Sequence, residues 1–163
     1  PEAWEKFLEP IPEDERNSLM SAYHKIFLGD DENKRLDSAI AWSTWEGSTS
    51  SMSYKPEMVS SFSNPKFALA FALIENHYFM NLGFLENEDQ LIKSSSIDKI
   101  RHIPAKIIQG RYDMVCPVET AWELSKNWQE AELIIAPSSG HSAFEKEITH
   151  HLIAATNEFS EHV

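Results

Sequence analysis

The sequence predicts an α/β fold in its C-terminal part, preceded by a mostly helical region. After about residue 100, short apolar strands alternate with helical segments. This alternation is typical of parallel strands joined by crossover helices. Before residue 100 the patterns indicate only helices and turns, so we place a domain boundary there, with a helical domain at 1–98 and the α/β part at 99–163. The elements predicted in the second part are strand 105–109, helix 118–127, strand 132–136 and helix 145–160.

The helical region begins with a lead-in, residues 1–12, that contains Pro1, Pro10 and Pro12. Acidic residues after Pro12 are typical of a helix N-terminus. A serine-rich stretch, residues 48–63, is predicted to be a loop with a short helix at most. The helices predicted in this region run from Pro12 to about Gly29, over 34–48, from Pro65 to about Gly83, and over 86–95.

The helix that begins at Pro65 has the strongest local signals. Asn64 is a suitable N-cap and Pro65 suits the first helical position. The residues from Phe67 to Ile74 are almost all apolar. Because a helix that is apolar on every side is usually buried, we predict that this helix is buried.

The composition of the chain argues against some classes of binding partner and favours one kind of cellular compartment. A formal net charge of −12 argues against nucleic acid and against anionic membrane surfaces, which attract basic patches. No apolar run is as long as a membrane span. Cys116 is the single cysteine, so no intrachain disulfide can form, which fits a reducing compartment and leads us to expect a cytoplasmic location. We expect Cys116 to be a small buried residue.

Asp113 and His141 are the first candidate catalytic residues. Each follows one of the two apolar strands in a glycine-containing loop. Parallel strands would bring the two side chains together at their C-terminal ends, in the Asp-then-His order that follows the nucleophile of an α/β-hydrolase triad. Asp113 alone could instead cap the helix that begins near Pro117, and His141 alone could lie on the surface. Their matching positions favour the catalytic interpretation.

The sequence contains no matching nucleophile. No G-x-S-x-G motif occurs, and Ser48, Ser53 and Ser94 to Ser96 lack the flanking glycines that the motif requires. The histidines show no metal-binding spacing and no cysteine cluster is present, so we expect no metal and no other cofactor.

Glu46 and Glu75 each follow an aromatic or apolar run on a predicted helix. A carboxylate on a largely buried helix costs several kcal/mol unless it is paired. The partner could be an internal Arg or Lys, or the ammonium group of a bound ligand. The periodicity alone favours the internal partner.

Several motifs resemble the C-terminal part of proline iminopeptidases (prolyl aminopeptidases), which belong to the α/β-hydrolase superfamily. One is the run Gly110-Arg111-Tyr112-Asp113-Met114-Val115-Cys116-Pro117, which is followed downstream by Gly140-His141-Ser142-Ala143. Two others, Trp42-Ser43-Thr44-Trp45-Glu46-Gly47 and Ile74-Glu75-Asn76-His77-Tyr78-Phe79, resemble the helical cap of that family. The resemblance covers essentially the whole chain.

This resemblance implies a serine aminopeptidase that releases N-terminal proline from peptides through an acyl-enzyme. Asp113 and His141 match the triad acid and base. Glu46 and Glu75 match the cap acids that hold the protonated imino group of the substrate, which reverses the interpretation from periodicity. Tyr78 and Phe79 would shape the pocket for the pyrrolidine ring. The implied fold is the C-terminal part of an α/β-hydrolase, residues 99–163, preceded by a helical cap, residues 1–98, and the implied partner is a peptide with a free N-terminal proline.

The motifs of the family's N-terminal half, including the serine elbow and the oxyanion loop, are absent from this chain. The chain also begins at Pro1 without an initiator methionine. We therefore expect a fragment that is inactive alone. Two alternatives are another α/β-hydrolase activity, such as an esterase or a broader aminopeptidase, and a non-catalytic truncated product. The sequence leaves the oligomeric state open.

Overall fold

The computed structural model describes residues 1–161 and divides them into two units. Unit 1 consists of Pro1–Ser48 and Tyr54–Leu85. Unit 2 consists of the short segment Thr49–Ser53 and the chain from Glu86 onward. The units thus divide after Leu85, and Thr49–Ser53 packs with the later part of the chain. The functional division into a cap at 1–98 and a core part at 99–163 stays a prediction.

Unit 1 is helical. An aromatic cluster forms its core, in which Phe7, Tyr23 and Trp42 are each at most 4% exposed. Phe7 stacks on Tyr23 with ring centroids 4.9 Å apart, and Tyr23 meets Trp42 edge to face at 5.0 Å. The helices are α1 (Glu2–Leu8), α2 (Leu19–Phe27), α3 (Glu32–Thr49), α4 (Pro56–Phe62) and α5 (Pro65–Met80), with 3₁₀ turns at Glu13–Ser18 and Leu82–Phe84.

Part of the lead-in is helical, which the sequence pattern did not indicate. Residues Glu2–Leu8 form α1, and Phe7 on that helix enters the aromatic core. A helix of about two turns has little intrinsic stability, so its formation depends on this tertiary burial. The three prolines of the lead-in, Pro1, Pro10 and Pro12, lie outside α1.

Helix α5 begins as predicted but is not buried on every side. The side chain of Asn64 accepts a hydrogen bond from the Phe67 backbone amide at 3.2 Å, which confirms the predicted cap. The buried residues of α5 are Ala68, Ala72 and Asn76, which lie one turn apart on a single stripe. Ile74, by contrast, is 61% exposed. The small alanines suit close packing of α5 against α2, while Leu69, Phe71 and Leu73 are partly buried against the aromatic core.

Unit 2 contains a parallel pair of strands, β1 (Ala105–Gly110) and β2 (Ala131–Ala136). Their register pairs Ala105 with Ala131 and Gly110 with Ala136, so both strands end at the same level. The helices α7 (Val118–Asn127) and α8 (Lys146–Ser160) both pack on the two strands. The four elements predicted after residue 100 are therefore confirmed to within one residue or so at each end.

The helix predicted over 86–95 is wrong. Residues 86–93 form successive turns, and only the short helix α6 (Ser94–Ile97) follows them. The Gln90 side-chain oxygen accepts from the Glu86 backbone amide at 2.6 Å, and the Lys93 ammonium donates to the Asn87 side chain at 2.7 Å. Such local side-chain bonds offer the backbone an alternative to a helix.

Within residues 1–161, no helix combines the length and the apolar character that crossing a bilayer requires.

Candidate active site

Asp113 and His141 lie together beyond the C-terminal ends of the two strands. β1 ends at Gly110 and β2 ends at its register partner, Ala136. His141 Nδ1 lies 3.0 Å from Asp113 Oδ2, within hydrogen-bond distance. The parallel register thus brings together two side chains that are 28 positions apart in sequence.

Close contact between the loops that follow the strands makes this pairing possible. A Cβ atom on Gly110 would lie 1.9 Å from the Gly140 carbonyl oxygen, so only glycine fits at this position. Two backbone hydrogen bonds join the loop after β1 to the end of β2 and to the loop that follows it. The Arg111 amide donates to the Ala136 carbonyl at 3.0 Å, and the Tyr112 amide donates to the Ser139 carbonyl at 2.9 Å.

The Asp113 carboxylate is held from several directions. It is 8% exposed, and its Oδ1 accepts hydrogen bonds from the backbone amides of Val115 at 3.0 Å and Cys116 at 2.7 Å. Its Oδ2 accepts from the Gln109 side chain at 3.1 Å as well as facing His141. These donors satisfy a buried carboxylate and fix its orientation.

Gln109 is a site residue that the sequence pattern did not reveal. Its side-chain nitrogen also donates to the Cys116 carbonyl at 3.0 Å, so it ties the end of β1 to the loop that carries Asp113. A polar residue directly before Gly110 at the end of an apolar strand was the available signal.

His141 combines an anchored nitrogen with an accessible ring. Its side chain is 39% exposed, whereas that of Asp113 is 6% exposed. An ionised carboxylate only accepts hydrogen bonds, so His141 Nδ1 carries the proton and donates it in the hydrogen bond to Asp113 Oδ2. Nε2 is then the nitrogen that can accept a proton. A carboxylate that fixes this tautomer and stabilises the resulting imidazolium is the arrangement that general-base catalysis needs.

Cys116 was predicted to be buried, and this is wrong, because the residue is exposed. Its backbone amide donates to Asp113 and its carbonyl accepts from Gln109. The loop turns the main chain of this residue toward the carboxylate and leaves the side chain outward.

Glu46 and Glu75 lie in unit 1, on α3 and α5 respectively, and both are half-buried. Trp42 lies close to both of these glutamates. Its indole N–H donates to Glu75 Oε2 at 2.6 Å, and it precedes Glu46 by four residues on the same face of α3. In the sequence Trp42 appeared only as part of the cap-like motif, because helical periodicity carries no information about which polar group the indole N–H meets.

Tyr78 and Phe79 lie near the end of α5 and are 52% and 49% exposed. Phe79 lies beside Trp42, with ring centroids 6.1 Å apart. Tyr78 meets Phe84 edge to face at 5.4 Å. The structure thus places Phe79 next to the indole that holds Glu75, and Tyr78 next to the turn that follows α5.

Among residues 1–161, no group of three or more His, Cys, Asp or Glu side chains is arranged to hold a metal ion.

Comparison with curated proteins finds close relatives. The chain is 49% identical over 159 residues to the proline iminopeptidase of Xylella fastidiosa (strain Temecula1), and 51% identical over 160 residues to that of Xanthomonas citri. Both matches cover 98% of this chain and 50% of the relative. The proline iminopeptidase of Arabidopsis thaliana is 47% identical over 156 residues, which are 95% of this chain and 40% of that protein. The chain therefore spans about half the length of the curated relatives it matches.

No protein-family model matches the chain.

Proposed function

Because the chain is a relative of the proline iminopeptidases along nearly its whole length, we propose that it forms the C-terminal half of a serine aminopeptidase that releases N-terminal proline from peptides. The observation that carries this proposal is the hydrogen bond between His141 Nδ1 and the buried Asp113 carboxylate at 3.0 Å, at the ends of neighbouring parallel strands. The other half of the enzyme would supply the serine and the oxyanion hole.

The proposed reaction has two stages. The serine hydroxyl attacks the prolyl carbonyl carbon while His141 Nε2 takes the hydroxyl proton, and Asp113 stabilises the imidazolium. The tetrahedral intermediate then expels the peptide amine, which receives the proton from His141, and a prolyl ester of the serine remains. Water attacks this ester with His141 again acting as base, and free proline and the serine hydroxyl are restored.

Glu46 and Glu75 would bind the protonated imino group of the substrate proline. The contact between Trp42 and Glu75 supports this role, because an indole N–H orients a carboxylate without neutralising its charge. Phe79, beside the same indole, and Tyr78 would provide apolar surface for the pyrrolidine ring. A peptide with a blocked N-terminus carries no such cation and would be rejected.

The test uses the completed enzyme, defined as this chain joined after the part of the Xylella fastidiosa relative that it does not match. Its kcat/KM is measured on L-prolyl-4-nitroanilide, on the N-acetylated form of that anilide, and on a simple nitrophenyl ester. We expect a preference for the free prolyl anilide over its acetylated form of about 10² or more, since a site that pairs a buried charge rejects substrates that lack the partner.

Equal rates on the free and acetylated anilides would contradict recognition of the imino group. Turnover of the ester alone would identify an esterase instead. Glu46→Gln and Glu75→Gln should each raise KM by about tenfold or more, because each removes a charge that pairs with the substrate cation. An unchanged kcat/KM in both variants would remove these residues from the proposed site.

A further inference from the structure

The loop that carries His141 is bound to a segment from much earlier in the chain. Residues Thr49–Ser53 belong to unit 2, although the residues on both sides of them belong to unit 1. The Ser50 carbonyl accepts hydrogen bonds from the backbone amides of both His141, at 3.0 Å, and Ser142, at 2.7 Å. The main chain at His141 is therefore fixed by a distant segment as well as by β2.

Glu145 joins the same two pieces of chain with its side chain. It is 6% exposed, and its Oε2 accepts from the Gly140 amide at 2.5 Å while its Oε1 accepts from the Met52 amide at 2.8 Å. The contact is close, since a Cβ atom on Gly140 would lie 2.9 Å from the Met52 nitrogen. One carboxylate thus connects the residue before His141 to the 49–53 segment.

Capping of α8 does not explain this side chain. Glu145 occupies the N-cap position of α8, where Ser, Thr, Asp and Asn are favoured, and it makes no side-chain hydrogen bond to the helix. A buried carboxylate is costly unless its oxygens are satisfied. Here a separate backbone amide satisfies each oxygen. One amide is in the loop that carries His141, and the other is in the 49–53 segment that binds this loop.

We propose that Glu145 is a positioning residue for His141, in the reaction of the proposed function. It holds the Gly140 amide and the 49–53 segment together, so that the Ser50 carbonyl meets the His141 and Ser142 amides. The imidazole then stays within reach of Asp113 Oδ2, with Nε2 directed toward the nucleophile. The Glu145 carboxylate touches neither the substrate nor the reacting atoms.

Glu145→Gln in the completed enzyme tests this role. Glutamine keeps the size of the side chain, but its NH₂ group would face an amide that also donates, so one of the two bonds is lost. We expect kcat to fall about 10- to 100-fold, since a displacement of about 1 Å at a catalytic group costs up to about 10². KM should stay within about twofold, because ground-state binding is untouched.

Glu147→Gln is the matched control. The Glu147 carboxylate also accepts from this loop, from the Ser138 amide at 2.9 Å and the Ser139 hydroxyl at 3.2 Å, at residues nearer in sequence to the end of β2. Its kcat should stay within about threefold of the parent. Equal losses of kcat in the two variants, or a full kcat in Glu145→Gln, would overturn the proposal.

Amide hydrogen exchange gives a readout that does not depend on turnover. Glu145→Gln should speed exchange in peptides that cover 49–53 and 138–145 and leave β1 unchanged. Unchanged exchange in these peptides would overturn the inference whatever the activity. If the parent released no proline but the exchange pattern held, the proposed function would fail and the fixing of the loop by Glu145 would be supported.

Glu145→Asp serves as a second variant in case the glutamine variant does not fold. It keeps the charge but is one methylene shorter, so it can reach only one of the two amides. We expect a kcat between those of the parent and Glu145→Gln, with KM unchanged. A kcat equal to that of the parent would contradict the need for both bonds.

Discussion

The two units hold their candidate functional side chains in different ways. In unit 2, Asp113 follows a strand and is fixed by backbone amides of its own loop, those of Val115 and Cys116. In unit 1, Glu75 lies on a helix, where neighbouring amides are already used, and it is held by a side-chain donor, the indole N–H of Trp42. Backbone support depends on loop conformation, whereas side-chain support depends on helix packing.

This difference implies that the two sets of residues should respond differently to substitution. Changes at the strand ends should disturb the chemical step, because they alter the geometry of the base. Changes to the groups that hold Glu75 should disturb substrate binding, because they alter the orientation of the carboxylate that we propose binds the substrate cation. Of the four predictions that follow, in order of expected effect, Asp113→Asn and Trp42→Phe test this distinction, and Gly110→Ala and Tyr23→Phe test the packing of each unit.

Asp113→Asn in the completed enzyme should lower kcat by about 10⁴, with little change in KM, because the amide would favour the wrong tautomer of His141. Steady-state kinetics with the prolyl anilide measures the effect. Asp98→Asn is the control, since Asp98 is a largely exposed partner of Arg101. A loss smaller than about tenfold for Asp113→Asn would contradict its role as the orienting acid.

Gly110→Ala should destabilise unit 2, because the new methyl group would lie 1.9 Å from the Gly140 carbonyl oxygen and 2.7 Å from that of Ser139. Overpacking against backbone costs about 1–3 kcal/mol or more. At about 3 °C for each kcal/mol, calorimetry should record a clear fall in Tm.

Gly29→Ala in unit 1 is the control for that substitution. Its nearest contact would be 3.3 Å, to the Ile26 carbonyl oxygen, so a shift of a few tenths of an ångström relieves it. A Tm for Gly110→Ala no lower than that of Gly29→Ala would show that the loops after β1 and β2 are not closely fitted.

Trp42→Phe should raise KM for the prolyl anilide about tenfold, with a smaller effect on kcat, because Glu75 loses a donor at 2.6 Å. A hydrogen bond to a charged group contributes about 1.5–3 kcal/mol, some of which solvent would restore. Trp128→Phe is the control, since within residues 1–161 the buried Trp128 indole nitrogen has no hydrogen-bond partner. An equal KM in both variants would remove Trp42 from substrate recognition.

Tyr23→Phe should have the smallest effect and should be confined to the core of unit 1. Burial raises the pKa of Tyr23, whose hydroxyl donates to the Phe7 carbonyl at 2.6 Å. The folded state therefore retains this proton at pH values where the unfolded chain releases it, so the stability from Tyr23 is present below about pH 10 and declines above it.

The Phe variant should lose about 1 kcal/mol at neutral pH and should show a shallower decline above about pH 10. Melting temperatures across this alkaline range measure both effects. The exposed Tyr54→Phe provides the control. A decline as steep in Tyr23→Phe as in the parent would mean that Tyr23 does not govern the alkaline stability of unit 1.

The sequence predicted the parts of the fold that local patterns control. The strands and helices after residue 100 were predictable because apolar runs, glycines and turn residues alternate there with the expected periods. The juxtaposition of Asp113 and His141 followed from the parallel order alone. The cap of α5 was predictable because Asn64 and Pro65 carry their own local signal.

What the sequence did not reveal depends on tertiary contacts. Helix α1 forms because Phe7 enters a core made by distant residues. The support of Asp113 by Gln109, of Glu75 by Trp42 and of Gly140 by Glu145 joins side chains to groups whose proximity no periodicity encodes. Cys116 was predicted to be buried from residue type alone, and the turn that serves Asp113 directs it outward.

One paired measurement tests the central claim most directly, namely that unit 2 serves the chemical step and unit 1 serves substrate binding. Steady-state kinetics of the completed enzyme with L-prolyl-4-nitroanilide would compare Asp113→Asn with Glu75→Gln. We predict a fall in kcat of about 10⁴ with KM nearly unchanged for the first variant, and a rise in KM of about tenfold or more with a much smaller change in kcat for the second. A lowered kcat with unchanged KM in Glu75→Gln, or a raised KM with unchanged kcat in Asp113→Asn, would contradict this division of roles.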